Sequence, residues 1–286
     1  MTTIHKCSMR RSEFIAIATA AIIAGCSYYG YESKQVSTAT QSQTADESTS
    51  DTGAKSVGIA PDFASISDVN EKKQAFFDYL RPGIALENQR IGKERKRLDA
   101  IRTRYLANKL TPADLSYAQR LGKLYKVEVP AEGINEAWVD DMLHRVDVIP
   151  QALVLVQAAN ESAWGTSRFA TQANNYFGQW CYSAGCGLVP LQRVDGMSHE
   201  VAKFRSVQQS IYGYFMNVNR NDAYIDLREI RYQRHLKGQS LTDTEAATAL
   251  TQGLLKYSER GEAYVNDLQS MIRHNDQFWN SPSIQQ

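Results

Sequence analysis

The sequence predicts a mostly α-helical protein with a small β piece, and three observations lead to that prediction. Residues 150–165 form an almost uninterrupted apolar run that begins at Pro150, as expected of a helix buried inside a domain. Residues 84–105 carry apolar side chains at heptad-like intervals among many charges, which indicates a helix with one apolar stripe. Between Phe177 and Phe204, glycines and a proline interrupt the helical pattern and leave only short β-like runs.

The N-terminus is typical of a bacterial export signal. Three cations precede the apolar stretch 14–24, which is too short to span a bilayer comfortably. The stretch ends in Ile-Ala-Gly-Cys and looks like a lipoprotein processing site, so we expect removal of residues 1–25 and lipidation of Cys26. An ordinary secretory signal cut nearby and an uncleaved anchor are the alternatives. Ser27 favours sorting to the outer membrane, with the protein facing the periplasm.

Residues 26–60 are predicted to form a flexible tether between the membrane anchor and the folded body. They are rich in Ser, Thr, Gln and Ala, and such a segment buries too little apolar surface to offset its ordering entropy. The chain has 32 basic and 31 acidic residues, and residues 1–25 hold three of the cations and one acid. The remaining 29 cations and 30 acids give a net charge of −1, which argues against nucleic acid as a partner.

The next region, residues 61–134, is predicted to be an N-terminal helical region that contributes to packing and contains no active site. Asp68 and Glu71 have capping-box spacing and open a helix that we expect to end at 81–83, where the chain reads Arg-Pro-Gly. The helix with the apolar stripe follows, and another runs from Thr111 to near Tyr125. The charges of the striped helix form a solvated face and require no ligand.

The final region, residues 135–280, is predicted to be a second domain with helices on both sides of the β piece. Its β-like runs are 187–194 and 201–204. Besides the buried helix that begins at Pro150, its predicted helices cover about 136–147, 207–219, 222–235, 243–256 and 260–274.

The cysteines of the predicted mature body are Cys181 and Cys186, in the sequence Cys-Tyr-Ser-Ala-Gly-Cys. A zinc site would need further Cys or His ligands, and none follows at ligand spacing before His199. In an oxidising periplasm, a local disulfide that closes the loop is favoured over zinc. The five histidines are scattered, and we expect no metal and no cofactor.

A single carboxylate, Glu161, lies where the buried helix ends. Gln157 and Gly165 share its helical face at a spacing of four, and Trp164 is three residues further on. Apolar surroundings disfavour the carboxylate form and raise the pKa, as a general acid near neutral pH requires. The alternative is a solvated glutamate at a helix end, but Glu161 is followed by further patterned segments.

Four segments occur in order: Glu-Ser-Ala-Trp-Gly at 161–165, Asn-Asn-Tyr-Phe-Gly-Gln-Trp at 174–180, Ala-Lys-Phe-Arg-Ser at 202–206, and the pair Tyr257 and Tyr264. This series resembles the bacterial glucosaminidase family, glycoside hydrolase family 73, and most closely its Bax-like branch. The resemblance covers roughly residues 140–275. It implies a lysozyme-like α+β domain with a small β-hairpin lobe, and it implies glycoside hydrolysis with Glu161 as the general acid.

A second carboxylate is harder to place. Glu200 is the first candidate for a general base acting on water, and Asp195 is the second. If neither lies opposite Glu161, the acetamido group of the substrate could assist instead. The resemblance also implies a catalytic role for Tyr257, although its block reads Tyr-Ser-Glu-Arg-Gly-Glu-Ala-Tyr and is one residue longer than the family pattern.

A sugar groove needs aromatic faces and polar groups, and five residues near Glu161 are candidates for substrate binding. They are Gln157, Trp164, Asn175, Tyr176 and Trp180. Core packing is the alternative for the aromatic ones.

We therefore expect a monomeric, membrane-anchored peptidoglycan hydrolase that cuts the glycan strand as an endo-β-N-acetylglucosaminidase. A muramidase or lytic transglycosylase on the same fold is one alternative, because specificity depends on subsites that the sequence does not show. A non-catalytic peptidoglycan-binding lipoprotein is the other.

Overall fold

The computed structural model describes residues 56–191, 193 and 196–280, so Cys26, Asp195 and most of the expected tether lie outside the described residues. The predicted class is confirmed: the described chain is mostly helical with one small antiparallel sheet. No helix within these ranges is long and apolar enough to cross a membrane. The α-helices are α1 (Val69–Leu106), α2 (Pro112–Tyr125), α3 (Glu136–Arg145), α4 (Gln151–Ser162), α5 (Arg168–Ala173), α6 (Val207–Arg220), α7 (Ile225–Leu236), α8 (Thr244–Leu250), α9 (Glu262–His274) and α10 (Gln277–Asn280).

The prediction that the first helix ends at 81–83 is wrong, because α1 continues through Pro82 for 38 residues. Asp68 caps its start, as the spacing indicated, and accepts hydrogen bonds from the amides of Asn70 and Glu71. A proline inside a helix costs about 3 kcal/mol. Burial offsets this cost, since Leu80 and the stripe from Ile84 to Ile101 are fully buried and α1 packs against α4 and α6.

Gly83, directly after Pro82, allows α6 to approach α1 closely. An ideal Cβ at this position would lie 2.6 Å from Oε1 of Gln208 and 2.8 Å from Cδ1 of Ile211. The glycine that looked like a helix terminator in the sequence is therefore a packing residue in the middle of a helix.

Helix α4 is the central element of the fold. Its apolar residues from Ala152 to Ala159 are buried, and it packs against α1, α8 and α9. It begins after Pro150, as predicted, because a proline can occupy a helix start without losing a hydrogen bond. The sequence did not predict the short helix α5 that follows it.

The sheet contains β1 (Trp180–Cys181), β2 (Gly187–Leu188) and β3 (Glu200–Ala202), in the order β1-β3-β2. Both pairings are antiparallel, and Val201 of β3 pairs with Trp180 on one side and with Leu188 on the other. The predicted strand over 187–194 is much longer than β2. Pro190 follows closely and has no N–H to donate to a sheet ladder, which explains the early end.

Two other predicted helices are divided in the structure. The helix expected over 222–235 consists of a 3-10 helix, Asp222–Tyr224, followed by α7. The helix expected over 243–256 consists of α8 followed by a 3-10 helix, Thr251–Leu254. The division of the chain into separate domains stays a prediction.

Candidate active site

Glu161 lies in the last turn of α4, just before the chain turns sharply. Ala163 and Trp164 have positive φ angles of 49° and 57°, and Gly165 follows at 79°. A Cβ on Gly165 would overlap the ring of Phe63, so only glycine fits this position. The hydroxyl of Ser162 fixes the turn by donating to the carbonyl of Ala158 at 2.6 Å and accepting from the amide of Gly165 at 2.8 Å.

The two carboxylate oxygens of Glu161 have different surroundings. Oε1 accepts hydrogen bonds from the hydroxyl of Tyr264 at 2.9 Å and from Nδ2 of Asn160 at 3.2 Å. Oε2 faces Gly178, where an ideal Cβ would lie 3.3 Å away. Among the described residues, Oε2 makes no hydrogen bond. One oxygen is thus oriented by the protein, and the other is free to carry a proton.

A chain of buried hydrogen bonds holds Tyr264 in place. The hydroxyl of Tyr214 donates to Oε1 of Gln157 at 2.5 Å, and Nε2 of Gln157 donates to the hydroxyl of Tyr264 at 3.1 Å. Tyr264 donates in turn to Glu161. All three residues behind Glu161 are buried. Gln157, a predicted substrate-binding residue, therefore lies inside the protein and orients the partner of Glu161.

Burial is the largest influence on the protonation of Glu161, and it raises the pKa of the carboxyl. The hydrogen bonds from Tyr264 and Asn160 oppose this shift, as does the positive charge of Arg260. The tyrosines around the site keep their protons at neutral pH, because burial raises the pKa of Tyr257 and Tyr264 well above the usual value. Glu161 thus has the environment expected of a general acid.

Tyr257, predicted to be catalytic, is placed beside the site but does not hydrogen-bond Glu161. Its hydroxyl donates to the carbonyl of Phe177 at 2.9 Å, and its ring stacks on that of Tyr264 with centroids 5.6 Å apart. The contact fixes the segment that leads into Gly178. Sequence reasoning passed over Tyr264 as a site residue, although it belongs to the same tyrosine pair.

Asn175 and Tyr176, two predicted substrate-binding residues, are both buried. Nδ2 of Asn175 donates to the carbonyls of Gln179 and Ala202, each at 2.9 Å, which ties the segment to strand β3. Tyr176 packs against Phe76 of α1 with ring centroids 6.1 Å apart. Their contacts are those of packing residues that shape the site from behind.

The two predicted tryptophans are placed differently. The ring of Trp164 meets Phe76 and Phe77 of α1 edge-on, with centroids 5.6 and 5.3 Å apart. Trp180 lies in β1, is only partly buried, and stacks on His199 at 3.9 Å. The contacts of Trp164 join the end of α4 to α1, whereas Trp180 belongs to the β lobe, and both side chains are half-buried.

Cys181 and Cys186 form a disulfide, with 6.2 Å between their Cα atoms. Glu200 stabilises the loop between them: its carboxylate accepts hydrogen bonds from the amides of Gly185 at 2.9 Å and Gly187 at 2.7 Å. These bonds lower the pKa of Glu200. The two sulfur atoms and Glu200 lie within 4.8 Å of one another, but sulfurs bonded to each other cannot supply thiolate ligands to a metal.

Comparisons with known proteins show the family to which the chain belongs. Residues 137–277 match the glucosaminidase family, described as mannosyl-glycoprotein endo-beta-N-acetylglucosaminidase. This range contains Glu161, the tyrosine chain and the β lobe. The chain therefore belongs to the glucosaminidase family, which is a family of glycoside hydrolases.

The chain is similar to Protein bax of Escherichia coli (strain K12). The two are 34% identical over 225 residues, which cover 79% of this chain and 77% of that protein. The similarity thus extends beyond the family domain. A search of solved structures gives no significant match.

Proposed function

We propose that this protein cleaves the glycan backbone of peptidoglycan as an endo-β-N-acetylglucosaminidase, with Glu161 as the general acid. One observation carries the proposal. The carboxyl of Glu161 has a pKa raised by burial, while the hydroxyl of Tyr264 holds one of its oxygens at 2.9 Å. Family membership supplies the substrate class, since glycoside hydrolases act on glycans.

The hydrogen bonds suit proton delivery from Oε2. Tyr264 donates to Oε1, so a proton on the carboxyl is directed to the other oxygen. Oε2 faces Gly178, where any side chain would crowd it, since an ideal Cβ would lie 3.3 Å away. Protonation of the leaving oxygen accompanies the formation of an oxocarbenium-like centre. After cleavage, the Tyr264 bond stabilises the carboxylate that remains.

The proposal assigns Glu200, the first candidate for the second catalytic carboxylate, a structural role. The carboxylate of Glu200 accepts two loop amides, and its pKa is lowered, so its contacts favour a role in shaping the β lobe. A lowered pKa also makes a weaker base. Asp195 and the acetamido group of the substrate are the remaining candidates for the group that assists water.

Product analysis tests the proposed bond. The purified protein is incubated with peptidoglycan, and the reducing-end sugar of the products is identified by mass spectrometry, with Glu161→Gln as the control. Reducing-end N-acetylglucosamine supports the proposal. Reducing-end N-acetylmuramic acid would indicate a muramidase, and anhydro-muropeptides a lytic transglycosylase. Intact glycan strands would indicate a non-catalytic peptidoglycan-binding protein.

We also propose that the enzyme acts as a monomer from a lipid anchor at Cys26, held at the bacterial outer membrane and facing the periplasm. The sequence Ile-Ala-Gly-Cys, preceded by an apolar stretch with basic residues before it, supports the anchor. The flexible composition of residues 26–60 would let the catalytic body reach glycan strands away from the bilayer.

A further inference from the structure

We propose that the tip of the α1–α2 helical hairpin is a docking surface for a bilayer rich in anionic phospholipids. The hairpin tip is defined here as the end of α1, the connection 107–111 and the start of α2. This inference does not depend on the proposed cleavage reaction, because the hairpin precedes the family domain that begins at residue 137.

The charge of the hairpin carries the first part of the inference. Residues 93–126 contain ten Lys or Arg and three Asp or Glu, a net charge of +7, in a chain whose remaining mature part is acidic. Several of these cations are exposed, and among the described residues no carboxylate forms an ion pair with them. Arg102 and Lys109 lie at the tip, whereas Lys93, Lys96, Arg120, Lys123 and Lys126 lie further along the two helices.

Exposed leucines at the tip carry the second part. The exposed fraction is 67% for Leu106, 37% for Leu110 and 37% for Leu115. All three lie within ten residues at one end of the hairpin, next to Arg102 and Lys109. A peripheral membrane surface combines these features, since leucines enter the headgroup boundary while cations meet phosphates. The carboxylates of peptidoglycan could pair with the cations, but peptidoglycan would not bury the leucines.

Hydrogen bonds join the end of α1 to the start of α2, so the backbone of the tip is held in place before it meets a bilayer. Arg104 near the end of α1 forms two hydrogen bonds with Asp114 in the first turn of α2, at 2.6 and 2.7 Å. Thr111 and Asp114 form a reciprocal capping box. The guanidinium groups of Arg97 and Arg120 both contact the ring of Tyr117. Asp114 is buried beneath these contacts, which makes it a structural acid.

Vesicle binding by the full-length chain carrying Cys26→Ala, which cannot be lipidated, tests the inference. Sedimentation is compared for vesicles of pure phosphatidylcholine and vesicles that contain phosphatidylglycerol. Each cation near an anionic surface contributes about fivefold in partitioning. We therefore expect phosphatidylglycerol-dependent binding that weakens about 25-fold in Arg102→Gln/Lys109→Gln and declines at high salt. Leu106→Ser/Leu110→Ser should weaken it as well.

Matched control pairs lie elsewhere on the described surface. Lys237→Gln/Lys256→Gln removes two exposed cations, and Leu236→Ser/Leu255→Ser removes leucines that are 58% and 42% exposed. All variants keep the same N-terminus, so a contribution from residues 1–26 is constant. Equal binding to both vesicle types, or equal losses in tip and control variants, would overturn the proposal. Tip-dependent binding to isolated peptidoglycan without vesicle binding would assign the surface to the cell wall instead.

Discussion

At the scale of single residues, the protonation of Glu161 depends on a balance between burial and one tyrosine hydroxyl. Burial raises the pKa of the carboxyl, and the hydrogen bond from Tyr264 lowers it. Gln157 and Tyr214 act behind Tyr264, because they fix which atoms of its hydroxyl donate and accept. The protonation of Glu161 therefore depends on its own surroundings and on three further side chains, those of Tyr264, Gln157 and Tyr214.

Replacing Glu161 by Gln tests the acid directly. Removal of a general acid costs about two to four orders of magnitude in rate, and we expect that loss in kcat on peptidoglycan. Gln is isosteric and retains an oxygen that can accept from Tyr264, so peptidoglycan binding and circular dichroism should be unchanged. A loss below about tenfold in a folded variant would contradict the assignment.

The same variant should be more stable than the wild type at neutral pH. The folded pKa of Glu161 is raised above its unfolded value, so the native state disfavours the charged form. Stability is therefore lost as pH rises through the folded pKa, and Gln avoids that loss. We expect a higher Tm for Glu161→Gln at pH 7, with the difference shrinking towards pH 4. Equal Tm differences at both pH values would count against the raised pKa.

Tyr264→Phe tests the hydroxyl that orients the acid. Its hydrogen bond lowers the pKa of Glu161, so its removal should raise that pKa and move the alkaline limb of the kcat/KM profile to higher pH. We also expect kcat to fall about ten- to hundredfold, the size of one hydrogen bond to a charged group. Tyr125→Phe, which removes a buried hydroxyl bonded to Glu94, is the control. If both variants have the wild-type pH profile, Tyr264 does not influence the pKa of Glu161.

At the scale of structural elements, the β lobe depends on Glu200 and the disulfide. The carboxylate binds the amides of Gly185 and Gly187, and the disulfide closes the same loop. The folded pKa of Glu200 is lowered, so its contribution to stability is present above the unfolded pKa and is lost as pH falls through the folded value.

Glu200→Ala separates a structural role from a catalytic one. We expect faster amide exchange in the loop 182–187 at pH 7, because two amides lose their acceptor, and a smaller Tm difference from wild type at pH 3 than at pH 7. Activity should fall through loosening of the lobe and should not recover with azide. Azide rescue, or a product of changed anomeric configuration, would instead identify Glu200 as the second catalytic carboxylate.

Helix packing is tested by two glycines with opposite surroundings. A Cβ at Gly253 would meet the backbone N and Cα of Leu227, whereas nothing lies within 4 Å of a Cβ at Gly92 in α1. Overpacking costs about 1–3 kcal/mol, so Gly253→Ala should lower the free energy of unfolding by that amount. Gly92→Ala should raise it by about 0.5–1 kcal/mol, because alanine favours helix. Urea denaturation measures both, and equal effects would contradict the packing.

At the scale of the whole molecule, a lipid anchor and the hairpin tip would hold the enzyme at a membrane by two different forces. Cys26→Ala should release the protein into the soluble periplasmic fraction, because the expected tether has no apolar segment able to insert. Any remaining bound fraction should fall strongly at high salt, since cations supply much of the hairpin attraction. Membrane retention after a high-salt wash would instead indicate an uncleaved N-terminal helix.

Much of this protein could be predicted from its sequence, because the relevant signals are local. The apolar run after Pro150 indicated a buried helix, and the glycines between Phe177 and Phe204 indicated an irregular β lobe. The same run placed Glu161 at the end of the helix, and its role as a general acid stays a prediction. Periodicity and composition report burial and helix ends, and those properties depend on neighbouring residues in the chain.

Only the tertiary structure decided which groups meet. Pro82 resembled a helix terminator, but packing of α1 against α4 and α6 keeps the helix intact around it. The family resemblance favoured Tyr257 over Tyr264, but the orientation of α9 brings Tyr264 to Glu161. Gln157 became a positioning residue because Tyr214, 57 residues away, supplies its partner. Such contacts join distant segments, so their identity depends on how helices pack and not on local pattern.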